Sequence, residues 1–192
     1  MNFDASWRPR NFRDVGESLA QLGLPNKIPV GRLLRGGEFD VLSYPEQVCC
    51  LGHPRTILNL RPAPDKLNLF PGVRYIQIPT KNGPGDYDTA SRQVRTWIRS
   101  LIAELCELTP NDFPLYIHCR SGKDRTGVLV GLLLLILDVP MDIIVKEYLL
   151  STEGSVDEAA FRKALEPFDK RKITIEFKKC NLSHLNNLFT TV

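Results

Sequence analysis

The sequence predicts an α/β fold with a central, mostly parallel sheet flanked by helices. Two observations predict it: short strand-like and helical segments alternate before a helical C-terminal half, and one helical segment is apolar on every side. A helix of that kind lies inside the fold of a protein that does not span a membrane. We therefore expect a single domain over residues 1–192, with its core at about 10–152 and a helical C-terminal part at 153–192.

Four segments are expected to be extended. Three of them contain apolar residues and are flanked by glycine, proline or charged residues; they span 27–37, 55–61 and 72–79. In the third, the side chains fall into two alternating sets, as they do along a strand. The fourth, "LYIHC", ends at Cys119. Between the first two, residues 43–52 begin with a serine and end with a glycine, which predicts a short helix.

Further helices are expected downstream. Over residues 88–108 the apolar residues fall at the i, i+3, i+4, i+7 spacing that places them on one face of an amphipathic helix. A wholly apolar helix is expected at 126–138, and the next begins at Pro140, a residue suited to helix starts. In the last clear segment, Ser155 with Glu158 three residues later has the form of a capping box.

Composition argues against several classes of function. The formal net charge of +3, without long runs of one charge, does not suit nucleic acid or an anionic membrane surface as a partner. The five cysteines are odd in number and lack zinc-like spacing, so no disulfide framework and no metal site are expected. No segment has signal-peptide character or the length of a membrane span. We expect a cytoplasmic protein without a cofactor, although secretion without a signal peptide stays open.

The candidate site is the segment "HCRSGKDRTG", residues 118–127. It joins an expected strand to an expected helix, where unpaired backbone N–H groups and the helix dipole favour an anion. Ser121 and Gly122 let the backbone curl around a ligand, and Arg125 can bind two phosphate oxygens through its planar guanidinium. Cys119 would lie at the floor of this loop. Since N–H groups and a guanidinium lower the ordinary thiol pKa of about 8.5, we expect a thiolate.

These residue types suit phosphoryl transfer. Cys119 is expected to attack phosphorus in line and form a phosphocysteine, while the loop and Arg125 stabilise the equatorial oxygens. Thr126 is placed to donate its hydroxyl to the departing thiolate. There are two alternatives: sulfur transfer by a rhodanese-like loop, which the Arg-Thr-Gly at 125–127 argues against, and a non-catalytic module that docks phosphorylated partners.

The segment resembles the signature loop of the cysteine-dependent protein tyrosine and dual-specificity phosphatases, in which five residues separate cysteine and arginine. Four further segments, "NFRDVG", "GRLLRGGEFDVL", "TILNLR" and "IIVKEYLLS", are similar in the same order to bacterial tyrosine phosphatases whose loop carries Lys-Asp before the arginine. One departure is Arg35-Gly36-Gly37, where that family more often has serine after the arginine. The resemblance covers about residues 10–152 and implies a hydrolase acting through phosphocysteine. Its expected substrates are phosphotyrosine and, further, phosphoserine or phosphothreonine proteins.

The resemblance also implies a general acid, and three aspartates compete for that role. Asp86 and Asp88 lie 33 and 31 positions before Cys119, and Asp86 is slightly preferred because its loop is rich in glycine and proline. Asp88 has an alternative role as the N-cap of the long helix. Asp124, inside the loop, is the acid in some lipid-directed relatives, but it also suits the first turn of a helix. A reaction with no single acid is the remaining alternative.

Other charged residues flank the expected pocket. Arg120 and Lys123 are expected to bind substrate, and the lipid-directed relatives suggest that they contact additional phosphates of a phosphoinositide or inositol polyphosphate. The simpler interpretation is a solvated loop. His118 is not expected to act as an acid or base, because strand alternation turns it away from Cys119. The resemblance implies that it supports the loop from behind.

Overall fold

One five-stranded sheet organises the protein and confirms the predicted α/β class. The computed structural model describes residues 8–40, 49–80, 88–152, 154–168 and 170–191. The strand order is β1-β2-β5-β3-β4, with β1 antiparallel to β2 and all other neighbours parallel. The strands are Arg13–Asp14 (β1), Leu33–Gly36 (β2), Thr56–Asn59 (β3), Arg74–Gln77 (β4) and Leu115–His118 (β5).

Helices connect and cover these strands, since parallel neighbours require crossover connections. None of the helices in the described ranges is both long enough and apolar enough to cross a membrane. The α-helices are Val15–Gln21 (α1), Arg92–Cys106 (α2), Asp124–Ile136 (α3), Met141–Leu149 (α4), Glu158–Leu165 (α5), Lys170–Glu176 (α6) and Leu182–Thr190 (α7).

The two faces of the sheet bury different residues because side chains alternate along a strand. One face packs against the helices in the main core, and the other packs against the chain around Phe39, Leu51 and Phe70. The central strands divide accordingly: Leu33, Leu58, Leu115 and Ile117 belong to the main core, and Leu34, Ile57 and Tyr116 belong to the smaller one. The strand that delivers the candidate site is therefore fixed from both sides.

Two helix starts differ from the prediction. α2 begins after Ser91, whose hydroxyl accepts a first-turn N–H, so the prediction of Asp88 as the N-cap was wrong. α5 begins after Asp157, whose carboxylate accepts a first-turn N–H, so the capping box at Ser155 was wrong as well. In both cases a cap residue closer to the helix satisfies the N–H. The helix predicted at 43–52 lies mostly outside the described residues, and 49–51 form a 3-10 turn.

Close packing joins α3 to the two helices that follow it. A Cβ added at Gly127 would lie 2.9 Å from the ring of Tyr148, and one added at Gly131 would lie 2.8 Å from the ring of Phe161. Those two rings stack with centroids 4.0 Å apart. The glycines therefore let α4 and α5 approach α3 closely, which fixes the helix that begins at the candidate site.

Candidate active site

Cys119 follows β5 directly and is buried. The preceding residue, His118, pairs with Gly36 of β2 on one side and with Asn59 of β3 on the other. Cys119 therefore emerges at the carboxyl edge of the parallel strands, which is where open α/β sheets bind their ligands.

The signature loop, residues 119–125, lies against the end of β2 at a distance that only glycine permits. Gly122 has a φ of +70°, and a Cβ there would lie 2.2 Å from the carbonyl carbon of Gly36. A Cβ at Gly36 would lie 2.7 Å from the hydroxyl oxygen of Tyr116, which donates to the Gly37 carbonyl at 2.5 Å. Gly36, at which the sequence departs from the resemblance described above, therefore has a steric reason in this chain.

Four consecutive carbonyl groups of the signature loop contact donor groups of residues that lie outside the loop. These pairs are Cys119 O with His118 Nδ1 (3.3 Å), Arg120 O with Glu38 N (3.1 Å), Ser121 O with Asn11 Nδ2 (2.9 Å) and Gly122 O with Arg35 Nη2 (2.9 Å). In a trans peptide the carbonyl and the following N–H point in opposite directions. The N–H groups of residues 120–123 are consequently directed to the other side, and such a run forms an anion-binding concavity.

Arg125 lies in the first turn of α3, and its Nη1 donates to the carbonyl of Leu60 at 3.0 Å. Leu60 follows β3, and its own N–H donates to the carbonyl of His118 at 2.9 Å. This contact anchors the guanidinium at the sheet edge where Cys119 emerges. The structure thus brings together Cys119, Arg125 and the loop residues that the sequence singled out.

His118 is held on the opposite face of the sheet from the main core. Its Nε2 lies 2.9 Å from Asp65 Oδ2, and Asp65 Oδ1 accepts from Arg61 at 2.5 Å. Burial of the Asp65 carboxyl raises its pKa, but His118 and Arg61 outweigh this effect, so the pKa is lowered. Arg61 also pairs with Glu38 and Asp40. Both ring nitrogens of His118 face oxygen atoms, those of the Cys119 carbonyl and the Asp65 carboxylate, which fits the prediction that His118 supports the loop from behind.

Three residues that the sequence interpretation missed form a buried network next to the loop. Arg35 is completely buried and contacts Glu147 at 2.6 Å, and the same carboxylate contacts Arg13 at 2.7 Å. Burial and the charge of Arg13 lower the pKa of Arg35 to about 10, although Glu147 opposes them. A charged residue inside the apolar pattern of "GRLLRGG" or "IIVKEYLL" was the available signal, since such a residue needs a buried partner.

The remaining loop side chains differ in their surroundings. Thr126 is buried, and its hydroxyl has no hydrogen-bond partner among the described residues, so donation to a thiolate stays a prediction. Lys123 Nζ donates to the carbonyl of Ser155 at 2.6 Å and lies 3.7 Å from Asp124. Arg120 is exposed. Arg120 and Lys123, the two cations predicted to contact further substrate phosphates, therefore differ, because Lys123 is hydrogen-bonded to the connection between α4 and α5.

The candidate acids lie in three different situations. Asp86 falls outside the described residues. Asp88 is exposed, and the adjacent Thr89 is buried and donates to the carbonyl of Ala164 at 2.6 Å, which ties this segment to α5. Asp124 is the first residue of α3, in the same loop as the cysteine. Within the described ranges, no group of three or more His, Cys, Asp or Glu side chains is arranged to hold a metal ion.

A model of the tyrosine phosphatase family matches residues 8–192. The chain belongs to this family. This membership agrees with the resemblance seen in the sequence, and the family match extends beyond the predicted core into the C-terminal helices.

Individual known proteins match this chain either over less than half of its length or at low sequence identity. The triple specificity protein phosphatase PtpB of Mycobacterium tuberculosis (strain ATCC 25618 / H37Rv) is 35% identical over 80 residues, 42% of this chain. The match spans only 24% of PtpB. The core catalytic domain of the PP-IP phosphatase SIW14 from S. cerevisiae, in complex with citrate, has a similar fold, with a TM-score of 0.59, 20% identity and coverage of 91% of this chain and 95% of that one. TpbA of P. aeruginosa gives a TM-score of 0.47 at 17% identity, covering 84% and 88% of the two chains.

Proposed function

We propose that this member of the tyrosine phosphatase family hydrolyses phosphomonoesters on proteins through a phosphocysteine at Cys119. Phosphotyrosine is the first expected substrate, and phosphoserine and phosphothreonine are further ones. The observation that carries the proposal is the signature loop, in which four carbonyls have partners outside the loop's interior, so that the N–H groups of 120–123 face the other way. A loop of this kind binds a phosphoryl group next to the buried Cys119.

In the first step, the Cys119 thiolate attacks phosphorus, and the S–P bond forms while the bond to the leaving oxygen breaks. The loop N–H groups and Arg125 stabilise the three equatorial oxygens, and the leaving oxygen takes a proton from the general acid. In the second step, water attacks the phosphocysteine and gives a proton to the same group, now a base. The P–S bond breaks, phosphate leaves, and Thr126 donates its hydroxyl to the released thiolate.

Phosphoinositides or inositol polyphosphates are the second candidate substrates. The exposed Arg120 supports this candidate, because it stands beside the proposed phosphate site with its side chain in solvent. Lys123 would have to exchange its hydrogen bond to Ser155 for one to a substrate phosphate. PtpB is itself named for triple specificity, which supports testing more than one class of substrate.

The decisive experiment is a panel of phosphotyrosine, phosphoserine and phosphothreonine peptides, phosphoinositides and inositol phosphates, with phosphate release as the measurement. We expect turnover by the wild type and a loss of at least about 10³-fold in Cys119→Ser, because the nucleophile is removed. Acid quenching should trap a phosphoenzyme in the wild type only. Cys106→Ser at the end of α2 is the matched control and should keep wild-type turnover.

Turnover that survives in Cys119→Ser would refute the mechanism. Tight binding of phosphopeptides by the wild type without phosphate release would instead support the docking module. Faster turnover of phosphoinositides than of any phosphopeptide would make the second candidate the principal function.

A further inference from the structure

A buried ionic network connects the signature loop to three distant parts of the chain. Arg35 at the end of β2 has no exposed surface, and the side chain of Glu147 on α4 is only 1% exposed. Arg13 completes the network, since it donates to the Glu147 carboxylate at 2.7 Å, to the Glu147 carbonyl at 2.8 Å and to the Ser151 hydroxyl at 3.2 Å. Charges are buried at high cost unless they are paired, so the network must serve structure or function.

The charges of the network do not cancel. The guanidinium groups of Arg13 and Arg35 share the one carboxylate of Glu147, which leaves a formal excess of one positive charge. The guanidinium of Arg35 lies against the loop that carries Cys119, since its Nη2 donates to the carbonyl of Gly122 at 2.9 Å. A cation held at this place attracts a negative charge on the loop.

Arg35 also determines the direction of one peptide in the loop. Its Nη2 donates to the carbonyl of Gly122 at 2.9 Å while its Nη1 donates to Glu147 at 2.6 Å. Both nitrogens belong to one planar guanidinium, so the carboxylate fixes the orientation of the group that holds the loop. With the Gly122 carbonyl bound on this side, the N–H of Lys123 points to the opposite side, where the phosphoryl group is proposed to bind.

We propose that Arg35 is a positioning residue for the reaction of Cys119. It directs the Gly122–Lys123 peptide so that this N–H faces the phosphoryl group, and its charge, only partly neutralised by Glu147, stabilises the cysteine as a thiolate. The inference rests on the proposed function, in which Cys119 is the nucleophile.

Other ionisable groups near Cys119 must stay the same in any test. They lie on β5, on the chain that follows β3, and on the loop and first turn of α3. These groups are Tyr116, His118 with its partner Asp65, Arg61, Arg120, Lys123, Asp124 and Arg125. None of them is altered in the variants below, so a change can be assigned to the network.

The test measures alkylation of Cys119 by iodoacetamide as a function of pH, read on the Cys119 peptide by mass spectrometry. Arg35→Met removes one positive charge, and we expect the midpoint of alkylation to move to higher pH. Glu147→Gln removes the negative charge and keeps an acceptor oxygen, so the midpoint should move to lower pH. Shifts of opposite sign follow from charge, whereas general loosening of the structure would move both variants in the same direction.

Arg35→Lys separates charge from orientation. Lysine retains the charge, so the alkylation midpoint should stay near that of the wild type. It cannot hold Glu147 and the Gly122 carbonyl with one planar group, so kcat for p-nitrophenyl phosphate should fall by about tenfold or more, less than the roughly 10²–10³ that follows loss of a transition-state donor. We expect KM to change much less than kcat, because the donor matters most in the transition state.

Arg32→Met is the matched control. Arg32 directly precedes β2, stacks on the ring of Phe113 at 3.9 Å and donates to the Leu188 carbonyl, all at the other end of the strand. We expect its alkylation midpoint and its kcat to equal those of the wild type.

Equal midpoints in the wild type, Arg35→Met and Glu147→Gln, or shifts of the same sign, would overturn the charge role. If Arg35→Met does not fold, Glu147→Gln and Arg35→Lys decide, and an unchanged midpoint in the first with an unchanged kcat in the second would overturn the inference. The proposed function fails separately, through activity that survives in Cys119→Ser.

Discussion

At the scale of single residues, three aspartates are candidates for the proton donor of the site. Asp124 is half-buried at the first position of α3 and lies 3.7 Å from the ammonium of Lys123. Asp88 is exposed and precedes α2, which Ser91 caps. The carboxylate of Asp88 is therefore not used as the helix cap and could donate a proton. Asp86 belongs to the segment just before it. A proton donor matters only when the leaving group is poor, so the leaving group itself can identify the acid.

Replacing each aspartate separately by asparagine should identify the acid. For the true acid we expect kcat on an alkyl phosphate to fall by about 10²–10⁴-fold, and kcat on an aryl phosphate with a good leaving group to fall far less. The measurement is steady-state turnover of both substrates by Asp86→Asn, Asp88→Asn and Asp124→Asn. Asp142→Asn, on the exposed side of α4, is the control and should match the wild type. Identical behaviour of all three variants would mean that no single aspartate is the acid.

Local spacing was enough to predict Cys119 and Arg125 as site residues, because the residues of the loop are close together in the sequence. The sequence could not place Arg35 against that loop, since its partners Gly122 and Glu147 are 87 and 112 positions away. Folding brings these residues together through the β2–β5 pairing and the packing of α4, neither of which follows from a local pattern. The residues that hold a reactive residue in place are therefore harder to predict from sequence than the reactive residue itself.

At the scale of elements, the end of α5 and the connection that precedes this helix each contact a segment near the site. Thr89 donates to the carbonyl of Ala164 near the end of α5, and Lys123 donates to the carbonyl of Ser155 just before the helix. The first contact holds the chain next to Asp88, and the second holds the signature loop. The C-terminal part of the chain therefore supports both of these segments.

Thr89→Val should expose the contribution of the first contact. The substitution keeps the volume but removes the hydroxyl, so we expect a loss of about 1–2 kcal/mol in the free energy of unfolding, because a buried carbonyl loses its donor. Urea denaturation provides the measurement. Thr96→Val is the matched control, since its exposed hydroxyl bonds within α2, and it should change stability by less than about 0.5 kcal/mol. Equal stability of the two variants would show that Thr89 does not anchor α5.

Periodicity predicted which segments form helices better than where they begin. Several residues that can cap a helix precede α2 in "DTAS" and α5 in "SVD", and the choice among them depends on the backbone around each one. α6 and α7 bury Ile173, Leu185 and Phe189 in the main core. Their stability comes from this packing, which the sequence of the C-terminal part does not reveal.

At the scale of the whole molecule, buried carboxylates join distant parts of the chain at the site. Glu147 connects α4 to β1 and β2, and Asp65 connects His118 to Arg61. Burial raises the pKa of each carboxyl, but Arg35 and Arg13 outweigh it at Glu147, and His118 and Arg61 outweigh it at Asp65, so both pKa values are lowered. Because both carboxylates support the loop, the stability of the fold and the integrity of the site should depend on pH together.

A carboxyl whose pKa is lower in the folded state than in the unfolded state stabilises the fold above its unfolded value, and this contribution is lost as pH falls through the folded value. We therefore expect the free energy of unfolding to decrease as pH falls below about 4.5, the ordinary value for glutamate. Glu147→Gln should lower stability at pH 7 by about 3 kcal/mol, because the buried Arg35 and the partly buried Arg13 lose their counter-charge.

The same variant should show a weaker dependence of stability on pH, since one of the two responsible carboxyls is gone while Asp65 remains. Urea denaturation of the wild type and Glu147→Gln between pH 7 and pH 3 measures both effects. Glu158→Gln, which removes the exposed partner of Arg162 on α5, should retain the wild-type pH profile because an exposed pair contributes little. Parallel curves for the wild type and Glu147→Gln would mean that the acid sensitivity arises elsewhere and that Glu147 is not ionised in the folded protein.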